Sequence, residues 1–244
     1  MKNKWVVCLI AIFLVYTFVN IWVLCIKNPP QENPPLKEKI IMLNIRRFKK
    51  DGNKGIFDAG WQLRHEHTVR QLDVDKIALI LIDVWEFYDD GMQERTQKNI
   101  NFKLVPLLEL ARKHNIIIIH ASHEGEINKK CNPLPGEFVI GSVGSSIDGT
   151  SRIRLNRYLD THNITTLLYA GYHADGCLIK RQTGIIPMHE LGYEIILVRD
   201  CTIAQETNDT LKRESIKEKV VDEIERFFGS TTTLKDLQEA FREY

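Results

Sequence analysis

The six residues Ile77-Ala78-Leu79-Ile80-Leu81-Ile82 are apolar without a break. A strand with one wet face alternates apolar and polar residues. One that is apolar at every position is buried on both faces and needs a covering layer on each side. From this run onward the chain switches between two periods. Thr96 to His114 is helical, with Ile100, Leu104, Leu107, Leu108 and Ala111 on one face. Ile116 to Ile119 is a second buried strand, and Phe138 to Ile140 a short third. Arg152 to Leu159 is helical, Thr166 to Ala170 a strand, and Cys177 to His189 a helix interrupted late by Pro187. Glu194 to Val198 is a strand, Asn208 to Phe228 a long amphipathic helix, and Leu234 to Tyr244 one more short helix. Strands alternating with helices predict a mostly parallel sheet with right-handed crossovers. The expected class is α/β, a three-layer αβα sandwich.

The 244 residues have room for one large domain, or one ordinary domain with a remainder. Hydrophobic residues at 43% and charged residues at 27% exclude a chain disordered over most of its length. Lys plus Arg is 33 and Asp plus Glu is 32, a net charge of +1, which leaves no electrostatic footprint for a nucleic-acid partner. Five cysteines without a CxxC pair exclude a disulfide scaffold and a zinc cluster.

The remainder is at the N-terminus. After a tail of residues 1–4, Trp5 to Ile26 is free of charge, with Thr17 and Asn20 the clearly polar positions. About 20 apolar residues match the thickness of a bilayer. Lys2 and Lys4 precede the run, Lys27 follows it, and Trp5 and Trp22 lie near its ends, where indoles favour the interface. A retained transmembrane anchor and a cleaved signal peptide both fit this pattern. The length of the run and the lack of an A-x-A site favour the anchor. A single-pass protein with an extracytoplasmic domain is expected. Residues 27–39 hold four prolines and form an extended spacer. The domain is then 40–244, with a core of 75–228. In its first part, Ile40 to Ile45 suits a strand, and Arg64, His65, His67 and Arg70 a solvated surface. His65-x-His67 has metal-ligand spacing but no third ligand.

In a parallel sheet the chemistry lies at the carboxyl ends of the strands. Here those ends carry Asp83, His120 (followed by His123 and Glu124), the turn Gly171-Tyr-His-Ala-Asp-Gly-Cys177, and Arg199-Asp200-Cys201. Asp175 as N-cap would put Cys177 in the first turn of a helix, whose end lowers a thiol pKa. Asp83 on a neighbouring strand is placed to take the thiol proton. Cys201 is a small packing residue. Cys131 lies in a loop with Pro133 and Pro135 that is expected to cover the site, and in an oxidising compartment a Cys131–Cys177 disulfide would block catalysis.

Ala170-Gly-Tyr-His-Ala-Asp-Gly-Cys-Leu-Ile179 followed by Gly192-Tyr-Glu-Ile-Ile-Leu-Val-Arg-Asp200 resembles the isochorismatase-like cysteine hydrolases, which include nicotinamidases and carbamoylsarcosine amidases. The resemblance covers about Asp75 to Phe228. It implies hydrolysis of an amide-type C–N bond in a small molecule, with Cys177 as nucleophile and Asp83 as base. It also implies an oxyanion hole from the backbone N–H groups of His173 and Cys177, a cis peptide at Tyr172-His173, and a homo-oligomer. Trp85, Tyr88 and Tyr172 are the expected pocket walls.

The chain departs from this family twice. The family lysine upstream of the cysteine has no counterpart, since Cys131 to Ser151 contains neither Lys nor Arg. His120, Lys129, Lys130 and Arg152 are candidates to replace it. If none does, the domain is a degenerate member that binds a ligand or a protein. The histidines of the nicotinamidase metal site are also missing between Val84 and Asn115, where His114 stands alone. Neither metal nor cofactor is expected.

Overall fold

The computed structural model describes residues 39–49, 65–86, 91–122, 126–141 and 150–242. The expected anchor at 5–26 and nearly all of the spacer lie outside them, as do Tyr88, His123 and Glu124. Among the described residues no helix is long and apolar enough to cross a membrane.

The domain is a mixed α/β fold on one eight-stranded sheet. Its strands are β1 (Ile40–Phe48), β2 (His65–Asp73), β3 (Ile77–Ile82), β4 (Ile117–Ala121), β5 (Phe138–Val139), β6 (Thr166–Gly171), β7 (Glu194–Thr202) and β8 (Ser230–Thr232). Their spatial order is β2-β1-β8-β7-β6-β3-β4-β5. From β8 to β5 neighbouring strands are parallel, and β1 and β2 add an antiparallel hairpin at one edge. The strand expected at Ile40 to Ile45 is the first part of β1, whereas β2 and β8 were not separable from loops by pattern. Strand β2 is polar and mostly exposed, and β8 is only Ser-Thr-Thr, so neither has the apolar period that marks a strand.

The unbroken run of β3 divides its side chains between two cores. Ile77, Leu79 and Leu81 face one, with Leu104, Leu107, Leu108, Leu237 and Phe241. Ala78, Ile80 and Ile82 face the other, with Leu155, Leu178, Met188, Val221 and Ile224. The first layer holds α1 (Gln93–Asn99), a π turn (Ile100–Leu104), α2 (Val105–Lys113) and α7 (Leu234–Arg242). The second holds α3 (Thr150–Thr161), α4 (Cys177–Lys180), α5 (Ile185–Glu190) and α6 (Ser215–Phe227). The π turn lies where the Pro106 ring would meet the Phe102 carbonyl in a regular helix.

Two expected helices are shorter than their patterns. Cys177 to His189 is two pieces, and the break falls at Arg181–Gly184, before Pro187 rather than at it. Pro187 instead sits in the first turn of α5, where its missing N–H costs nothing. The long helix begins at Ser215, after a 3-10 turn at Leu211–Arg213.

Candidate active site

Strands β3 and β6 lie side by side with Ile82 opposite Gly171. The chain leaves β3 through Asp83, whose φ of 45° is left-handed. Residues with a Cβ rarely adopt this region, and those that do gather at functional sites. The Asp83 amide donates to the Ala121 carbonyl at the end of β4, and Trp85 N–H donates back to the Asp83 carbonyl. The aspartate is thus fixed at the carboxyl edge of three strands.

Gly171 leaves β6 at φ 112°, and Thr202 Oγ1 donates to its carbonyl at 2.6 Å. The Tyr172-His173 peptide is cis, as the resemblance implied. The His173 carbonyl then accepts from the amides of Gly176 and Leu178, and the Ala174 amide donates to Ile203. This turn delivers Cys177 to Asp83. Asp175 does not cap the helix. Its Oδ1 accepts from the Gln205 amide at 3.1 Å, and the residue before the helix is Gly176.

The Cys177 thiol is half-buried and close enough to Asp83 to feel its charge. Its pKa is pushed up to about 11, first by burial, then by the nearby Asp83 charge; Arg181 and its own amide pull the other way. A thiolate prepared by a helix end was the expectation. With a helix of one turn and a carboxylate nearby, the resting group is instead a thiol.

The cation of the site is Arg181. Its Nη1 lies 2.5 Å from Asp83 Oδ1 and 3.3 Å from the Ala121 carbonyl. The two side chains are 6% and 2% exposed, so the ion pair is buried. The candidates for this place were upstream of the cysteine, and Arg181 is downstream. Its signal in the sequence was the i, i+4 spacing from Cys177, which puts both residues on one side of a helical turn.

Three of the four upstream candidates, His120, Lys130 and Arg152, have their side chains engaged elsewhere. His120 is buried on the face opposite α4 and bonds Glu137 Oε2 at 2.8 Å. Burial lowers its pKa, so it is no standing cation. Lys130 Nζ donates to Asn101, the Lys129 amide to Glu86, and Arg152 pairs with Glu190. Trp85 is half-buried against the helix layer opposite α4, with its indole N–H on Ser122 Oγ at 3.1 Å. Tyr172, expected as a pocket wall, is wholly buried, and its hydroxyl donates to Asn99 Oδ1 at 2.8 Å, so it supports the turn from beneath. Cys131, Cys177 and Cys201 are free thiols, and the Cys131–Cys177 disulfide is not formed. His65 pairs with Asp222 and Glu225, and no metal-type cluster occurs among the described residues.

The family model for the isochorismatase domain matches residues 77–236, well over half of the chain. Solved structures with the same fold include a cysteine hydrolase from Pseudomonas syringae, with 14% identity, a TM-score of 0.55, and coverage of 69% of this chain and 95% of that one. An isochorismatase family protein from Desulfovibrio vulgaris has 17% identity and a TM-score of 0.53, covering 68% and 98%. An isochorismatase-like hydrolase from Alkaliphilus metalliredigens has 14% identity and a TM-score of 0.54, again covering 68% and 98%. No curated protein matches the sequence.

Proposed function

The chain belongs to the isochorismatase family, and from that premise we propose that it is a membrane-anchored cysteine hydrolase that cleaves an amide-type C–N bond of a small molecule. The observation that carries this reading is the half-buried Cys177 thiol beside the buried Asp83–Arg181 ion pair. A thiol beside its base needs no separate thiolate; proton transfer accompanies attack. In the first half-reaction Sγ bonds to the carbonyl carbon and its proton passes to Asp83. The oxyanion is received by the N–H groups of His173 and Cys177. The C–N bond then breaks, the Asp83 proton leaves with the amine, and a thioester remains. In the second half-reaction Asp83 takes a proton from water, hydroxide adds to the thioester, and the proton returns to sulfur as the acid departs.

The uncharged run at residues 5–26 supports the anchor, and the proline-rich 27–39 a spacer that carries the domain clear of the bilayer. The high pKa of the thiol and the missing family lysine favour the other reading, a degenerate domain that binds without turnover.

The test is to expose the full chain to a panel of small amides and to p-nitrophenyl acetate, quench, and look for an acyl group on Cys177 by mass spectrometry. An adduct that is absent in Cys177→Ala supports the hydrolase. Amide binding without any adduct, even from the activated ester, supports the binding module.

A further inference from the structure

We propose that Arg181 is the positioning cation of this site, holding Asp83 toward the thiol and compensating the negative charge as it moves from the carboxylate to sulfur. The inference rests on the reading of Cys177 as nucleophile and adds the group that makes its ionisation feasible.

The geometry supplies the argument. Before proton transfer the trio is a guanidinium, a carboxylate and a thiol. Afterwards it is a guanidinium, a carboxylic acid and a thiolate. The net charge is zero in both states, so the step creates no uncompensated charge in a buried place. Without the guanidinium the same step would leave a lone buried anion at each stage, and an unpaired buried charge is strongly unfavourable. An arginine suits this role because it keeps its charge in proteins and presents several fixed donors. It cannot double as a proton donor, so all proton traffic falls to Asp83.

The chain holds Arg181 in place with backbone contacts. Its amide donates to the Cys177 carbonyl at 3.1 Å, and its own carbonyl accepts from the Gly184 amide at 2.7 Å. A Cβ on Gly184 would lie 2.7 Å from the Leu178 carbonyl and 3.0 Å from Arg181 N. The Thr183 carbonyl is tied to the buried Tyr169 hydroxyl at 2.8 Å. The turn that ends α4 is therefore fixed on both sides of the arginine.

The experiment compares the full chain with Arg181→Gln and Arg181→Lys in two assays at pH 8. These are the alkylation rate of Cys177 by iodoacetamide, and p-nitrophenolate release from p-nitrophenyl acetate. An opposite charge within a few ångströms shifts a pKa by 1–3 units, so Arg181→Gln is expected to slow alkylation by about 10-fold. Acylation is expected to fall by about 100-fold. Arg181→Lys is expected to recover part of both. A merely structural arginine gives a different pattern, because opening the turn frees the thiol and speeds alkylation. Rates in Arg181→Gln equal to or above those of the unaltered chain overturn the proposal. So does a folded Arg181→Lys variant that recovers neither rate. If the unaltered chain releases p-nitrophenolate no faster than Cys177→Ala, the hydrolase reading fails, while the alkylation comparison still decides the role of Arg181.

Discussion

Gly171 and Ile82 are register partners on β6 and β3, and they pass so closely that a Cβ on Gly171 would overlap the Ile82 carbonyl oxygen and lie 2.7 Å from its nitrogen. Backbone cannot yield as a flexible side chain can, and the φ of 112° already disfavours any residue but glycine. Gly171→Ala is expected to cost about 2–4 kcal/mol, read as a lower midpoint in denaturant unfolding. An unchanged midpoint would show that the two strands separate freely at the site.

Asp83→Asn is expected to lower the Cys177 pKa and to abolish turnover together. The Asp83 charge raises the thiol, and Arg181 lowers it. With the carboxylate gone, the midpoint of iodoacetamide alkylation falls below about 11. Loss of the general base removes roughly 10²–10⁴ in rate. More thiolate with less catalysis would identify Asp83 as the proton acceptor. A midpoint that rises instead would contradict that charge effect.

Glu137 makes stability depend on pH at the acid end. Burial pushes its carboxyl up, but the hydrogen bonds from Arg112, the Leu134 amide and His120 outweigh this and hold it at about 2, against an ordinary 4.5. A depressed carboxyl contributes stability that is complete above the ordinary value and is lost as pH falls toward the folded one. The amount is on the order of 3 kcal/mol. His120, lowered by burial, acts in the same direction, since protonating it is resisted by the fold. Glu137→Gln is expected to be less stable at pH 7, with the gap to the unaltered chain narrowing between pH 4.5 and about 2. Guanidinium melts across that window measure it.

Tyr172→Phe separates a supporting role from a substrate contact. The hydroxyl meets Asn99 inside the core, so its loss is expected to cost about 1 kcal/mol of stability. Cys177 alkylation and acylation are expected to stay within twofold of the unaltered chain. A large rise in KM for a small amide, at unchanged stability, would return Tyr172 to the pocket wall.

The parallel core was legible because burial on both faces leaves an unmistakable trace. Ile77–Ile82 and Thr166–Gly171 are apolar at nearly every position, and they are the two strands that carry Asp83 and the cysteine turn. The antiparallel edge was not legible to the same degree. His65–Asp73 is a strand held by backbone bonds to β1, with side chains that resemble a loop. At the site, the motif located Cys177 and Asp83, but local rules misjudged the state of the thiol. Asp175 has the composition of an N-cap, yet a distant amide, Gln205, claims it. Arg181 escaped because a surface helix places such a residue in solvent. Only the one-turn length of α4, set by Gly184 and the Tyr169–Thr183 bond, turns it inward.

Cys177 and Arg181 flank a single turn, whereas Asp83 arrives on a separate strand. The thiol and the cation near it therefore travel as one cassette of sequence. A graft of residues 171–184 onto another sheet of this kind would carry both at once, provided the host offers an aspartate at the adjoining strand end. A one-residue deletion within 178–180 would separate them even if every side chain named here were kept.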